Sequence, residues 1–241
     1  MKVLVFDIAS DYAHFRQPYS TTSSLTYAIP PRTAVLGIVG AILGIESGGF
    51  GKSEHVPKLE NSNVRIGVRI MKPIEKVRFN MNYSYTKADA ATKNVLHIQV
   101  PVEMVKEPIY RLHICADSPL FEKLERLVSK KECYYTPYLG ITEFIARVNY
   151  IGTYEARILV RSEKIYSAIY MSDSTNFVMS NGQKIFRETH AVSMDNYRHV
   201  TEYSEIAYEA EGKPLIASSV DPESIVVGFA TPDGEVAVMI R

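Results

Sequence analysis

The chain has little that would tie it to an oxidising compartment, a bilayer or a purely electrostatic role. Two cysteines, Cys115 and Cys133, are all that 241 residues contain. They form no CxxC pair, which argues against a disulfide framework, a redox motif or a zinc site. The longest apolar run, residues 34–45, holds 12 residues including three glycines and is too short to cross a membrane. Asp7 interrupts the N-terminal run where a secretory core would continue. The six histidines show no HxxxH or HExxH spacing, so neither a metal nor another cofactor is expected. Together these absences predict a soluble, cytoplasmic protein without a membrane partner.

Net charge is absent too, with 27 basic and 27 acidic residues, but its distribution is uneven. Residues 65–131 carry 13 Lys/Arg against 7 Asp/Glu, whereas residues 195–241 carry 3 against 9. Such asymmetry suits one region facing phosphates and another facing solvent or a basic partner, although scattered surface charge would look the same.

At this length the chain forms one large domain or two small ones and buries roughly 70 to 75 % of its unfolded surface. Residues 2–9 are compactly apolar and read as a buried strand. A helix is expected over 33–44, then a glycine-bearing loop over 46–63. Strands follow at 64–71 and 76–83, with a polar hairpin tip at 83–94 returning through 95–105. A strand over 110–116, a helix over 118–131 and a strand over 144–151 complete the first part. The order predicts an α+β chain: a ferredoxin-like (RRM-like) unit over 1–152 with a β-hairpin inserted near 76–105. A β-rich domain over 153–241 follows, with runs at 156–160, 165–171, 177–179, 184–191, 225–230 and 236–240, packed closely on the first.

Most chemical motifs fail on inspection. Gly48-Gly49-Phe50-Gly51-Lys52-Ser53 ends like a phosphate-binding P-loop, but Glu46 stands where that motif needs glycine and a helix precedes it. No GxSxG occurs. The most informative stretch runs from Thr26 to Gly37, where Pro30-Pro31 stops an extended segment and starts a glycine-studded helix. Arg32 and Thr33 fall in its first turn, where free N–H groups and the helix dipole favour an anion. Gly37, Gly40 and Gly44 leave a helix face without bulk, so the backbone of a ligand or of the neighbouring sheet can approach closely, with the sheet favoured for Gly40 and Gly44.

His14-Phe15-Arg16, the segment from Thr26-Tyr27-Ala28-Ile29-Pro30-Pro31-Arg32-Thr33 to Gly44, and the later Pro137-Tyr138-Leu139-Gly140 resemble the fifth family of CRISPR-associated proteins. That family belongs to the RAMP superfamily and supplies a subunit of Cascade, the type I effector complex. The type I-B-like and archaeal branches are the most similar. The resemblance is strong over residues 1–45 and supported at 137–140; elsewhere only the layout agrees.

The resemblance implies a non-catalytic subunit that binds and caps the 5′ handle of crRNA in antiviral defence. The handle would lie between the ferredoxin-like domain and a thumb-like hairpin, with the backbone and large Cascade subunits as further partners. The RNA-binding candidates are then Arg16, Tyr27, Arg32, Thr33 and Gly37 from the matching segment. Arg78, Lys87 and Lys93 join them as phosphate contacts on the hairpin, with Tyr83 and Tyr85 as stacking surfaces for unpaired bases. Tyr27 either stacks a base or anchors its loop, and Arg16 and Arg32 either bind phosphate bidentately or pair with surface carboxylates.

Two other functions stay open. A branch resembling type I-C cuts precursor RNA with a tyrosine and a lysine next to a histidine. No Lys-His dipeptide occurs here, since His97 follows Leu96, His113 follows Leu112 and His199 follows Arg198. A metal-independent endoribonuclease would have to draw on His14, Tyr85, Lys87, Lys93 and His97. Alternatively, the protein is a structural adaptor between Cascade subunits, using its acidic C-terminal part.

Overall fold

The computed structural model describes residues 1–19, 24–49, 51–84, 97–159, 164–173, 175–219, 223–231 and 234–241. The first part runs β1 (Lys2–Ala9), β2 (Tyr12–Ala13), β3 (Phe15–Arg16), β4 (Thr26–Tyr27), α1 (Arg32–Leu43), α2 (His55–Glu60) and β5 (Arg65–Ile70). It continues through β6 (Lys76–Ser84), β7 (His97–Lys106), β8 (Ile109–Cys115), α3 (Ser118–Ser129) and β9 (Arg147–Glu155). Thereafter come β10 (Arg157–Leu159), β11 (Ile169–Met171), β12 (Asn176–Val178), β13 (Ile185–Met194), β14 (Val200–Glu209), β15 (Ile216–Ser219), β16 (Ile225–Thr231) and β17 (Gly234–Ile240).

The central sheet has the order β5-β8-β1-β9 with every neighbouring pair antiparallel. Its inner strand β1 explains the apolar stretch at the N-terminus, which only Asp7 interrupts. Side chains alternate across a strand, so Leu4, Phe6 and Ile8 enter the main core with α1 and α3, whereas Val3 and Val5 enter a second core. Val227, Phe229, Val238 and Ile240, from the sheet β10-β16-β17, close that second core. A strand buried on both faces needs no polar alternation.

Helix α1 begins where the prolines require. Pro31 is its N-cap, and its carbonyl accepts from the N–H groups of both Ala34 and Val35. Gly44 ends it in the left-handed region at φ 75°. The glycine face does not meet the sheet. A Cβ on Gly40 would lie 3.4 Å from His55 Cβ, and one on Gly37 would lie 3.7 Å from His55 Nε2, so the smooth face admits α2. That six-residue helix falls inside the expected loop; its short length and internal Pro57 leave little periodicity to detect.

Strands β6 and β7 pair in register from Lys76↔Val105 to Ser84↔His97; of the tip expected at 83–94, Tyr83 and Ser84 still belong to β6 and residues 85–94 lie outside the described residues. The hairpin has an apolar face, Val77, Phe79, Met81 and Tyr83 opposite Met104, Val102, Val100 and Ile98, and a polar face carrying Arg78, Asn80 and Asn82. Tyr12 meets Phe79 edge-on at 5.6 Å, tying the hairpin base to the body.

The C-terminal part packs on the first, with β13 and β14 pairing beside α1. Strand β9 hands the chain through Ala156 directly to β10, and Ile66 and Arg241 exchange backbone hydrogen bonds. No helix among the described residues is long and apolar enough to cross a membrane.

Candidate functional site

A cleft of about 1000 Å³ opens between α1, the 45–49 loop, the 135–141 loop, the end of β6 and the turn after β13. Phe15, Ile38 and Ala41 give it an apolar floor, and Arg16, Thr33, Gly37 and Tyr83 line it. Four of the ten residues expected to contact RNA therefore share one concavity. Arg16 is exposed beside it and Tyr83 is 42 % exposed. A cation and an aromatic face around a glycine-smoothed helix start form a surface that suits a single strand's phosphates and unpaired bases.

Other expected residues go elsewhere. Arg32 does not face a phosphate: its Nη1 donates to Glu60 Oε1 at 2.8 Å and to Val192 O at 3.1 Å, and its Nη2 donates to Val64 O at 3.0 Å. An arginine can be drawn inward in this way because its planar fork satisfies a carboxylate and several carbonyls at once. Tyr27 is likewise interior at 3 % exposure, its hydroxyl donating to Thr189 O at 2.8 Å and its ring centred 4.3 Å from that of His190. Of its two sequence readings the structure selects the anchor, and burial raises its phenol pKa. Arg78 lies on the hairpin's polar face, paired with Glu103 at 3.3 Å. Tyr85, Lys87 and Lys93 lie outside the described residues.

A network at the hairpin base holds the cleft's rim. Lys76 Nζ donates to Thr26 O at 2.7 Å and pairs with Glu103 at 3.4 Å. His14 is bonded through both ring nitrogens, Nδ1 to Glu103 O at 2.7 Å and Nε2 to Ser24 Oγ at 2.9 Å. That pattern fits a neutral ring, in keeping with a pKa lowered by burial. His97 opens β7 opposite Ser84, six residues and so about 20 Å along the strand from Glu103. His14 and His97 are thus poorly placed to serve one reacting atom.

The Pro137–Gly140 motif acquires a physical reason. His14 N–H donates to Leu139 O at 3.0 Å, and a Cβ on Gly140, whose φ is +93°, would lie 1.8 Å from His14 O. Only glycine lets the loop pass so close, and this contact sets Tyr138 at the cleft edge.

Tyr138, from the Pro137–Gly140 motif, lines the cleft but was not singled out as an RNA contact, and Tyr135, His55 and Arg198 carried no usable sequence signal. The tyrosines lie in a segment with no periodicity, and Arg198 reaches the cleft only through the β13–β14 turn. Among the described residues, no group of three His, Cys, Asp or Glu side chains is placed to hold a metal. Cys115 is buried, its thiol pKa pushed up to about 12 chiefly by that burial, and Cys133 is exposed.

Comparison with known proteins agrees with this layout. The family model described as CRISPR-associated protein (Cas_Cas5) matches residues 3–211. A solved structure described as a CRISPR protein from Archaeoglobus fulgidus is similar at TM-score 0.60 and 14 % identity, covering 99 % of each chain. A chain of a CRISPR RNA-guided surveillance complex is similar at TM-score 0.53 and 13 % identity, covering 88 % of this chain and 91 % of that one. None of the curated proteins matches the sequence. With a family model spanning most of its length and a fold shared with CRISPR proteins, this chain belongs to the CRISPR-associated protein (Cas_Cas5) family.

Proposed function

We propose that the protein is a non-catalytic subunit of a type I CRISPR effector complex and caps the 5′ handle of crRNA. The observation that carries this reading is the cleft, in which Arg16, the first turn of α1, Gly37 and Tyr83 converge. Strand order β5-β8-β1-β9 with α1 and α3 in the crossovers supports a ferredoxin-like first domain. The hairpin β6–β7 is then its thumb, and the β-rich part is a second domain that begins after β9 rather than at residue 153, because Thr153 to Glu155 pair with β1 in the central sheet. The backbone and large subunits of the complex are its protein partners.

Binding without cutting is favoured because His14 is committed to two hydrogen bonds and stands far from His97 along β7. Incubating the purified protein with repeat RNA in EDTA separates the functions. Tight, uncut binding supports the cap, and defined cleavage lost on His97→Ala establishes an endoribonuclease instead. Affinity that falls steeply with salt, by a slope of about 0.7 per neutralised phosphate, distinguishes the cap from an adaptor that scarcely touches RNA.

A further inference from the structure

We propose that His55 and Arg198 form a second phosphodiester-binding arm on the far wall of the cleft, and that RNA engages this arm with uptake of a proton. This rests on the cleft being the RNA site. Both side chains line it, from elements that the family motifs do not include. Arg198 sits at φ 65°, and its Nε donates to Lys52 O at 3.0 Å, which leaves its terminal nitrogens without a hydrogen-bond partner among the described residues. His55 is half-buried against Gly37 and Gly40, and neither ring nitrogen has a hydrogen-bond partner among the described residues.

The charges around His55 define its state. Its α1 neighbours, Gly37 and Gly40, bring none. From the turn after β13 comes Arg198, and beside His55 in sequence stands Glu54, whose carboxylate tucks against Gly48 and pairs with Lys58 at 3.2 Å. Across the cleft stand Arg16, Glu46 and His14. Burial, followed by Arg198, lowers the His55 pKa, so the empty cleft holds a neutral imidazole at neutral pH. A phosphodiester placed between the two side chains screens Arg198 and accepts from an imidazolium, raising that pKa. Binding therefore takes up a proton and strengthens as pH falls.

The test uses the full chain and a handle RNA with a 5′-hydroxyl end, so that no terminal phosphate titrates. Affinity is expected to tighten about five- to tenfold from about pH 7.5 to about pH 5.5, below the single-proton ceiling of roughly tenfold per pH unit. His55→Gln should flatten that profile, and Arg198→Gln should weaken binding about fivefold at both ends. A histidine NMR titration guards against misfolded variants, since the His55 resonance should titrate higher with RNA bound. A pH-independent affinity, or an unshifted His55 resonance while Arg16→Ala still weakens binding, overturns the arm and leaves the cleft. Loss of both effects, with Arg16→Ala neutral, overturns the cleft itself.

Discussion

Arg16 and Arg32 stand on either side of the proline-gated segment, belong to the same matching motif and invite the same phosphate, yet they have opposite fates. Arg16 ends in the open beside the cleft. Arg32 is consumed inside by Glu60, Val64 and Val192, so that it joins α1 to α2 and to β13. Tyr83 and Tyr27 repeat the contrast, one on the cleft rim and one under β13. The segment thus serves two regions: its outer side opens onto the cleft, and its inner side bolts together the halves that shape it.

The largest test of that division is Arg32→Ala. It strips a nearly buried cation from Glu60 and the carbonyls of Val64, Val192 and Arg241, so stability should fall by about 3 kcal/mol with a lowered Tm. Handle affinity, measured well below that Tm, should stay within about twofold. Loss of affinity without loss of stability would merge the two regions.

The histidines separate in the same way. His113, fully buried on β8, has its pKa lowered to about 3 by burial above all, with Arg111 and Arg69 adding to the effect and a hydrogen bond with the Gly67 backbone opposing it. A folded pKa below the unfolded value of about 6.5 means that the stabilising contribution is complete above that pH and declines as pH falls toward 3. Near pH 5 the loss should reach about 2 kcal/mol in denaturant titrations, and His113→Phe should flatten this acid limb. An unchanged acid limb in the variant would place the sensitivity elsewhere.

On the outer side, Arg16→Ala should weaken handle binding about five- to twentyfold and lower the salt slope by about 0.7, with Tm nearly unchanged. The smallest effect belongs to Tyr27→Phe, which removes one buried hydrogen bond to Thr189. Stability should drop by about 1 kcal/mol and affinity should not move. A larger change in affinity than in stability would return Tyr27 to the RNA surface.

What could be read beforehand follows from how locally each feature is encoded. The buried β1, the start of α1 at the proline pair and the amphipathic α3 with Phe121, Leu124, Leu127 and Val128 inward all declare themselves within a few residues. Strand β14 did not, because Glu202, Glu205 and Glu209 interrupt its apolar members. Glu209 is buried, accepting from the N–H groups of Lys184, Glu211 and Lys213, while Glu202 pairs with Arg241. Part of the acidity expected to face a partner is thus spent within the fold.

The candidate site divided on the same ground. Sequence motifs brought out Arg16, Thr33 and Gly37, and hairpin patterning brought out Tyr83, because both signals are local. Whether an arginine points outward or inward depends on Glu60 and Val192, 28 and 160 residues away in the chain. No local pattern encodes that. His55, Tyr135, Tyr138 and Arg198 reach the cleft through the same kind of long-range packing.

The most direct measurement is photo-crosslinking of the purified effector complex carrying 4-thiouridine in the guide handle, with the attached peptides mapped by mass spectrometry. Adducts should fall on the segments bearing Tyr83, His55 and Tyr135 to Tyr138, and their yield should drop when Arg16→Ala weakens the hold on the handle. Handle adducts confined to other subunits, with none on these segments, would contradict the account.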